Sequence, residues 1–169
     1  MELVGTSYLY TLAAISITFV AFSTIVVIFR EAQGAGLEEY EITLLRLFVV
    51  SGLEATVFSL IPPLLGLFGI SPAWVWRISS LIFALVLIWR GIYFRRRQSH
   101  FNESRGLKMV NILYALYALA VLGLLINALG IFVKPGPGLY ALAATWLLIN
   151  AILAFIMALE RFMHPPLKE

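Results

Sequence analysis

The segment at residues 44–63 constrains this chain more than any other, because it is apolar and long enough to cross a bilayer yet carries Glu54 near its middle. A charged carboxylate at that depth is costly, so we expect Glu54 to be protonated, paired or hydrated. The remaining segments must then supply that environment.

The composition fits a membrane solvent. The chain is 62% hydrophobic and 12% charged, whereas an average soluble domain is about 25% charged. It has no cysteine, which excludes disulfides, thiolate metal sites and cysteine nucleophiles. All nine acidic residues are Glu, and the two histidines, His100 and His164, lie in polar segments. We therefore predict no metal and no cofactor.

Five apolar segments predict an all-α membrane protein, with five transmembrane helices in a compact bundle that forms a single domain over residues 1–169. Each segment is close to the ~20 residues that a spanning helix needs. They cover residues 4–29, 43–67, 73–94, 109–133 and 139–161. Ser71 and Pro72 suit the N-cap and first position of the third helix.

Pro62 and Pro63 lie about two turns beyond Glu54 and predict a distortion of helix 2, since proline removes a donor and clashes with the preceding turn. The alternative is that the two prolines end the helix. A broken helix beside a buried carboxylate is typical of transporter ion sites. Two prolines near the end of a helix more commonly just end it.

Basic residues set the predicted orientation, because they concentrate on the cytoplasmic side of membrane proteins. The third connection is the most basic part of the chain and contains Arg95, Arg96, Arg97, Arg105 and Lys108. This places the N-terminus outside and the C-terminus in the cytoplasm, in a plasma or bacterial inner membrane. The same basic residues are predicted to contact anionic lipid headgroups or a partner. Nucleic-acid binding does not fit so short a loop.

Helical rise allows the depth of each polar side chain to be estimated. Glu54 on helix 2, Ser16 and Thr18 on helix 1, and Asn150 on helix 5 are predicted to share a layer near the bilayer midplane. Ser51 lies one turn before Glu54 and would share its face. A second layer, with Arg77 and Asn127, lies roughly 10 Å closer to the outside.

These residues predict a polar path for an ion or solute, because intramembrane ionisable groups often mark such pathways. The alternatives are structural. Glu54 could be protonated in a packed bundle or paired with Arg77, and Arg77 could extend to the headgroups, as Arg46 and Arg90 are expected to do. Asn127 and Asn150 could simply form interhelical hydrogen bonds.

Small residues recur at helical spacing on helices 4 and 5, which favours close helix contacts and possible homo-oligomerisation. They are Ala120, Gly123, Gly130, Ala144, Ala151, Ala154 and Ala158.

Three functional classes remain. The first is a small channel or transporter for a cation, a proton or a small solute, with Glu54 as the intramembrane site. The second is a non-conducting subunit, sensor or anchor that acts through its charged cytoplasmic loops. The third, an intramembrane enzyme, has least support, because no catalytic set is found and Glu54 is the sole plausible base for the membrane serines.

Overall fold

The computed structural model describes residues 3–32, 39–98 and 107–163 and contains five α-helices in that part of the chain. They are α1 (Thr6–Ala32), α2 (Glu39–Leu67), α3 (Pro72–Gln98), α4 (Leu107–Leu129) and α5 (Pro137–Met163). The described residues contain no β-strand. The predicted all-helical architecture of five helices is therefore confirmed.

Four of these helices contain a segment that is long and apolar enough to cross a bilayer. The segments are Thr6–Phe29, Leu45–Leu67, Pro72–Tyr93 and Pro137–Ile156. In α4 the corresponding apolar segment among the described residues, Ala115–Leu129, is shorter. Large apolar side chains cover much of the outside of these segments, for example Phe22 and Leu85. A surface of this kind suits hydrocarbon better than water.

The helix ends follow from local chemistry. The Ser71 carbonyl accepts hydrogen bonds from the backbone N–H groups of Trp74 and Val75 at 3.0 and 3.1 Å, and Pro72 begins α3. The predicted start of the third helix is thus confirmed. Gly69 and Gly130 follow the ends of α2 and α4 with φ of 73° and 69°, which is the left-handed conformation that glycine adopts without steric cost.

Pro62 and Pro63 do not end α2, which continues to Leu67. Both proline side chains are buried. The interpretation of the two prolines as a helix stop is therefore wrong. The predicted distortion of the helix stays a prediction.

The chain divides into two compact units. The unit that contains Glu54, here called the carboxylate unit, comprises Ser7–Leu60 and Ala144–Glu169. The other, here called the hairpin unit, comprises Met1–Thr6 and Ile61–Ala143 and includes α3 and α4. The single domain expected over the whole chain stays a prediction.

Three phenylalanines from three helices form the core of the carboxylate unit. The ring of Phe19 on α1 lies 5.3 Å from that of Phe48 on α2 and 5.5 Å from that of Phe155 on α5, both edge-to-face, and the rings of Phe48 and Phe155 are 5.4 Å apart. Edge-to-face packing places the positive ring edge against the negative face of its neighbour. Val20, Ala151 and Ala154 complete this aromatic cluster.

The hairpin unit is organised around the packing of α3 against α4. Trp76 and Phe83 on α3 contact the ring of Tyr140 at centroid distances of 5.7 and 5.5 Å. Phe83, Leu124 and Tyr140 are completely buried. This packing fixes one face of α3 toward the interior, which decides the position of every polar side chain that α3 carries.

Candidate functional site

Glu54 lies inside the candidate span Leu45–Leu67, nine residues from its start, or about 14 Å along the helix axis. Its side chain is half-buried and takes part in a polar or electrostatic interaction. Ser51, one turn earlier on the same face, is buried. The carboxylate is thus neither exposed nor enclosed, and it has a buried hydroxyl beside it on its own helix.

The opposite side of α2 packs against α1 at Gly52. A Cβ atom at Gly52 would overlap Val20 Cγ2 and would lie 3.9 Å from the Ser16 carbonyl oxygen. Glu54 is two residues further along, about 160° around the helix from Gly52. The α1 contact at this level therefore lies on the side of α2 that faces away from Glu54.

Ser16 and Thr18 occupy different environments, although both were predicted for the central polar layer. Ser16 is completely buried, and its Oγ has no hydrogen-bond partner among the described residues. Thr18 is exposed, because two residues correspond to about 200° of helical rotation. Thr18 thus shares its depth with Ser16 but not its face of α1, and the predicted path through Thr18 stays a prediction.

Asn150 directs its amide along its own helix. Its side chain is half-buried, and Nδ2 donates a hydrogen bond of 3.0 Å to the Trp146 carbonyl, four residues earlier in α5. This bond resembles those of Thr56 and Ser59, whose hydroxyls donate to the Gly52 and Ala55 carbonyls at 3.0 and 2.7 Å. These donors stabilise local backbone groups.

The aromatic cluster closes one side of this polar region. Phe19 lies one turn after Ser16, and Phe48 lies one turn before Ser51. Phe48 is completely buried. Within the carboxylate unit, the aromatic cluster therefore leaves little room for water between Glu54 and the N-terminal end of α2.

In the hairpin unit, Asn127 binds the α4–α5 connection. Its Nδ2 donates to the Gly136 carbonyl at 3.0 Å and to Ser80 Oγ at 2.8 Å, and the Gly136 N–H donates to Asn127 Oδ1 at 3.0 Å. Asn127 is 1% exposed. Both ends of its amide are satisfied, so this arrangement agrees with the interhelical hydrogen-bond alternative and leaves the side chain little capacity for an ion or solute.

Arg77 lies against the C-terminal end of α4. Its guanidinium carbon is 5.4 Å from the Trp74 ring centroid, and a Cβ atom at Gly130 would lie 3.1 Å from its Nη2. The side chain is half-buried, and Nε has no hydrogen-bond partner among the described residues. A cation is stabilised both by the face of an indole and by the negative end of a helix dipole. The predicted pairing of Glu54 with Arg77 stays a prediction.

Arg90 is the polar residue whose importance the sequence interpretation missed. It is only 4% exposed, so the expectation that it extends freely to the headgroups is wrong. Its guanidinium lies near the Tyr117 side chain of α4, whose hydroxyl has no hydrogen-bond partner among the described residues. The sequence does indicate this burial, because Phe83, Leu87 and Arg90 are spaced so that they lie on one face of a helix.

Two pairs of polar side chains thus lie between α3 and α4, and a hydrogen bond joins one of the pairs. Ser80 and Arg90 are ten residues apart on α3, as are Tyr117 and Asn127 on α4, which is about 15 Å along each helix. The hydrogen bond of Ser80 with Asn127 and the proximity of Arg90 to Tyr117 follow one antiparallel register. The residues between them are largely apolar.

The predicted cytoplasmic contact residues are partly located. α3 continues five residues past the end of its candidate span, Tyr93, to Gln98, so Arg95, Arg96 and Arg97 belong to a helix. Lys108 lies in the first turn of α4. The side chains of these four residues, and all of Arg105, lie outside the described part of the chain.

Among the described residues, no three His, Asp or Glu side chains are grouped so that they could hold a metal ion. No protein-family model matches the chain, and neither a curated protein nor a solved structure shows significant similarity to it.

Proposed function

We propose that this chain is an integral membrane protein that binds a cation or proton at Glu54 and carries it across the bilayer. The observation that carries this proposal is a half-buried carboxylate inside a segment that is long and apolar enough to span a membrane. Such a group is expensive to keep in hydrocarbon, and function is the usual reason for its presence.

Ser51 is the neighbouring ligand that the proposal requires. Its hydroxyl lies one turn from the carboxylate, on the same face of α2, and is removed from solvent. A carboxylate and a hydroxyl supply the oxygen ligands that a hard cation prefers. They also suit a proton site, since the hydroxyl can donate to the ionised carboxylate and accept from the neutral acid.

The aromatic cluster supplies a hydrophobic barrier. Because Phe19, Phe48 and Phe155 pack ring against ring, an ion at Glu54 would meet a dry constriction on the side of the α2 N-terminus. Hydrophobic constrictions close channels by excluding water. The proposed binding site is therefore closed on that side in this conformation.

The test is ion flux into liposomes that contain the purified protein. A proton-sensitive dye inside the vesicles reports proton entry under an imposed membrane potential, and sodium- and potassium-sensitive dyes report the two cations in parallel. Wild-type protein is expected to conduct one of these ions. Glu54→Gln is expected to lower the flux about tenfold or more, since it removes the charge while preserving the shape.

Two further variants make this result specific. Glu54→Asp keeps a carboxylate and is expected to retain part of the flux. Ser59→Ala removes a buried hydroxyl of α2 whose hydrogen bond runs to its own helix, and it should leave the flux unchanged. Absence of flux in the wild-type protein, or equal flux in wild type and Glu54→Gln, would contradict the proposal.

A second function, as a non-conducting anchor or sensor, is supported by a different observation. The helical extension of α3 beyond Tyr93 carries Arg95, Arg96 and Arg97 just outside the candidate span. Basic groups there gain about 1 kcal/mol each near an anionic membrane surface. For this function, reversing the three charges should abolish activity in cells, while Glu54→Gln should have little effect.

A further inference from the structure

Arg77 lacks an acidic partner among the described residues of its own unit. The hairpin unit contains eight basic residues and two acidic ones, Glu2 and Glu103, which both lie outside the described part of the chain. Arg77 Nε also has no hydrogen-bond partner among the described residues, although the side chain is half-buried. Because a guanidinium keeps its proton in proteins, its charge must be balanced by another group.

Two neighbours hold the guanidinium of Arg77 in a defined position. Its carbon lies 5.4 Å from the centroid of the Trp74 ring, and its Nη2 lies beside Gly130, where a Cβ atom would be 3.1 Å away. A Cβ atom at Gly130 would also lie 3.4 Å from Pro135 Cγ. The absence of a side chain at Gly130 therefore leaves the space that the guanidinium occupies at the end of α4.

These neighbours compensate the positive charge only in part. The face of an indole attracts a cation but carries no net charge, and the C-terminal end of a helix contributes about half of a negative elementary charge. A guanidinium offers its N–H donors in a planar fork that matches the oxygens of a phosphate group in pairs. Such an anion would complete the arrangement around Arg77.

The depth of Arg77 fits the phosphate layer of a bilayer. Arg77 lies five residues, or about 8 Å, after the start of the candidate span Pro72–Tyr93. Helical side chains tilt toward the N-terminus of their helix, and the contact with Trp74, three residues earlier, follows this direction. The charge is thus directed toward the end of the span, where arginine side chains reach the lipid headgroups. Trp74 is 56% exposed, as expected of an indole in that layer.

We propose that Arg77 binds the phosphate group of a phospholipid in the leaflet that surrounds the N-terminal end of α3. The guanidinium donates N–H groups to the phosphate oxygens, and Trp74 and the end of α4 keep it in place. This inference rests on the membrane placement in the proposed function, but it requires no ion movement at Glu54. Inorganic phosphate offers the same oxygens, so the experiment must separate the lipid from the free anion.

The test is native mass spectrometry of the purified protein in an uncharged detergent with phosphatidylglycerol or diacylglycerol of identical acyl chains. Wild-type protein should retain phosphatidylglycerol preferentially, because diacylglycerol lacks the phosphate. Arg77→Gln should weaken the binding of one phosphatidylglycerol per chain roughly tenfold, since it removes the charged donors. Arg77→Lys keeps the charge without the planar fork and should weaken the same lipid only roughly threefold. Its partial binding separates the loss of a ligand from the loss of the fold.

The matched control is Arg46→Gln, which removes an exposed arginine close to the start of the candidate span Leu45–Leu67. It should bind phosphatidylglycerol like the wild type. Equal losses in Arg46→Gln and Arg77→Gln would reduce the effect to net charge and overturn the proposal, as would unchanged binding in Arg77→Gln. A clear gain of phosphatidylglycerol in Glu54→Gln would also overturn it, because Glu54 would then be the counter-ion of Arg77 in the wild type.

Calorimetric titration with sodium phosphate tests the free anion. We expect no binding that depends on Arg77. Binding of inorganic phosphate that is lost in Arg77→Gln would assign the site to a soluble anion and overturn the lipid as its source. Flux measured on the same preparations tests the transport proposal separately, and its absence would leave the lipid result unaffected.

Discussion

The side-chain amide of Asn127 donates a hydrogen bond of 2.8 Å to Ser80 Oγ, which connects α4 to α3 in the interior of the hairpin unit. The same amide group also exchanges two hydrogen bonds with the backbone of Gly136. One buried side chain thus fixes both the pairing of two helices and the course of the connection that follows α4. Such a residue should affect stability far more than its single amide suggests.

Asn127→Leu should lower the free energy of unfolding by about 2–4 kcal/mol, because it leaves Ser80 Oγ and the Gly136 N–H and carbonyl groups without their partner in a site that is at least partly buried. Unfolding by sodium dodecyl sulfate in detergent micelles, followed by circular dichroism, measures this change. Asn150→Leu is the matched control. Its known hydrogen bond runs to the Trp146 carbonyl of its own helix, so we expect a loss of less than about 1 kcal/mol. Equal losses in the two variants would show that the connection does not depend on Asn127.

A second prediction concerns the contact between Gly52 and Val20. Gly52→Ala should destabilise the protein by about 1–3 kcal/mol, because its methyl group would overlap Val20 Cγ2. Val20 is buried and β-branched, so it has few alternative rotamers. Combining Gly52→Ala with Val20→Ala removes the overlap and should restore part of the loss, as the same unfolding measurement would detect.

The control for this prediction is Gly91→Ala on α3, where the added methyl group meets no atom within 4 Å. Alanine has the better helix propensity, so this variant should be unchanged or more stable by up to about 1 kcal/mol. If Gly52→Ala behaved like Gly91→Ala, α1 and α2 would not approach as closely as described here.

The sequence predicted the helices well because each is a long apolar segment bounded by turn residues. The start of α3 at Pro72 was predicted directly from Ser71 and Pro72. The position of each residue along its helix could also be counted from the sequence, since helical rise is constant.

The orientation of each helix about its axis was harder to predict. Apolar residues surround these helices on all sides, so their pattern does not reveal which face packs inward. Thr18 was therefore grouped with Ser16, although one is exposed and the other buried. Arg90 was assigned to the membrane surface from its depth, whereas its face directs it inward. Both differences concern rotation about the helix axis, and neither concerns the position of a residue along its helix.

The contacts of Asn127 show a second limit. Its principal partner is Gly136 in a short connection, and the course of that connection depends on the left-handed conformation of Gly130. Sequence patterns indicate that a turn is present, but they do not specify which backbone group it brings to a buried amide. The interhelical hydrogen bond that was the alternative for Asn127 is present, whereas its contact with Gly136 was not predicted.

The last prediction concerns the interaction of Arg90 with Tyr117. A double-mutant cycle of Arg90→Met and Tyr117→Phe should give a coupling energy of about 0.5 kcal/mol, because the guanidinium lies near the phenol without a hydrogen bond to its hydroxyl. Arg90→Met alone should cost about 1–3 kcal/mol, since Arg90 is buried and makes a further interaction there.

The free energy of unfolding in detergent is again the measured quantity. Tyr10→Phe, at an exposed position of α1, provides the control for the loss of a phenol group and should be additive with Arg90→Met. Additivity of Tyr117→Phe with Arg90→Met would instead mean that the guanidinium is held by its other contacts alone. In that case the hydrogen bond between Ser80 and Asn127 would fix the register of α3 and α4, and Arg90 and Tyr117 would not contribute to it.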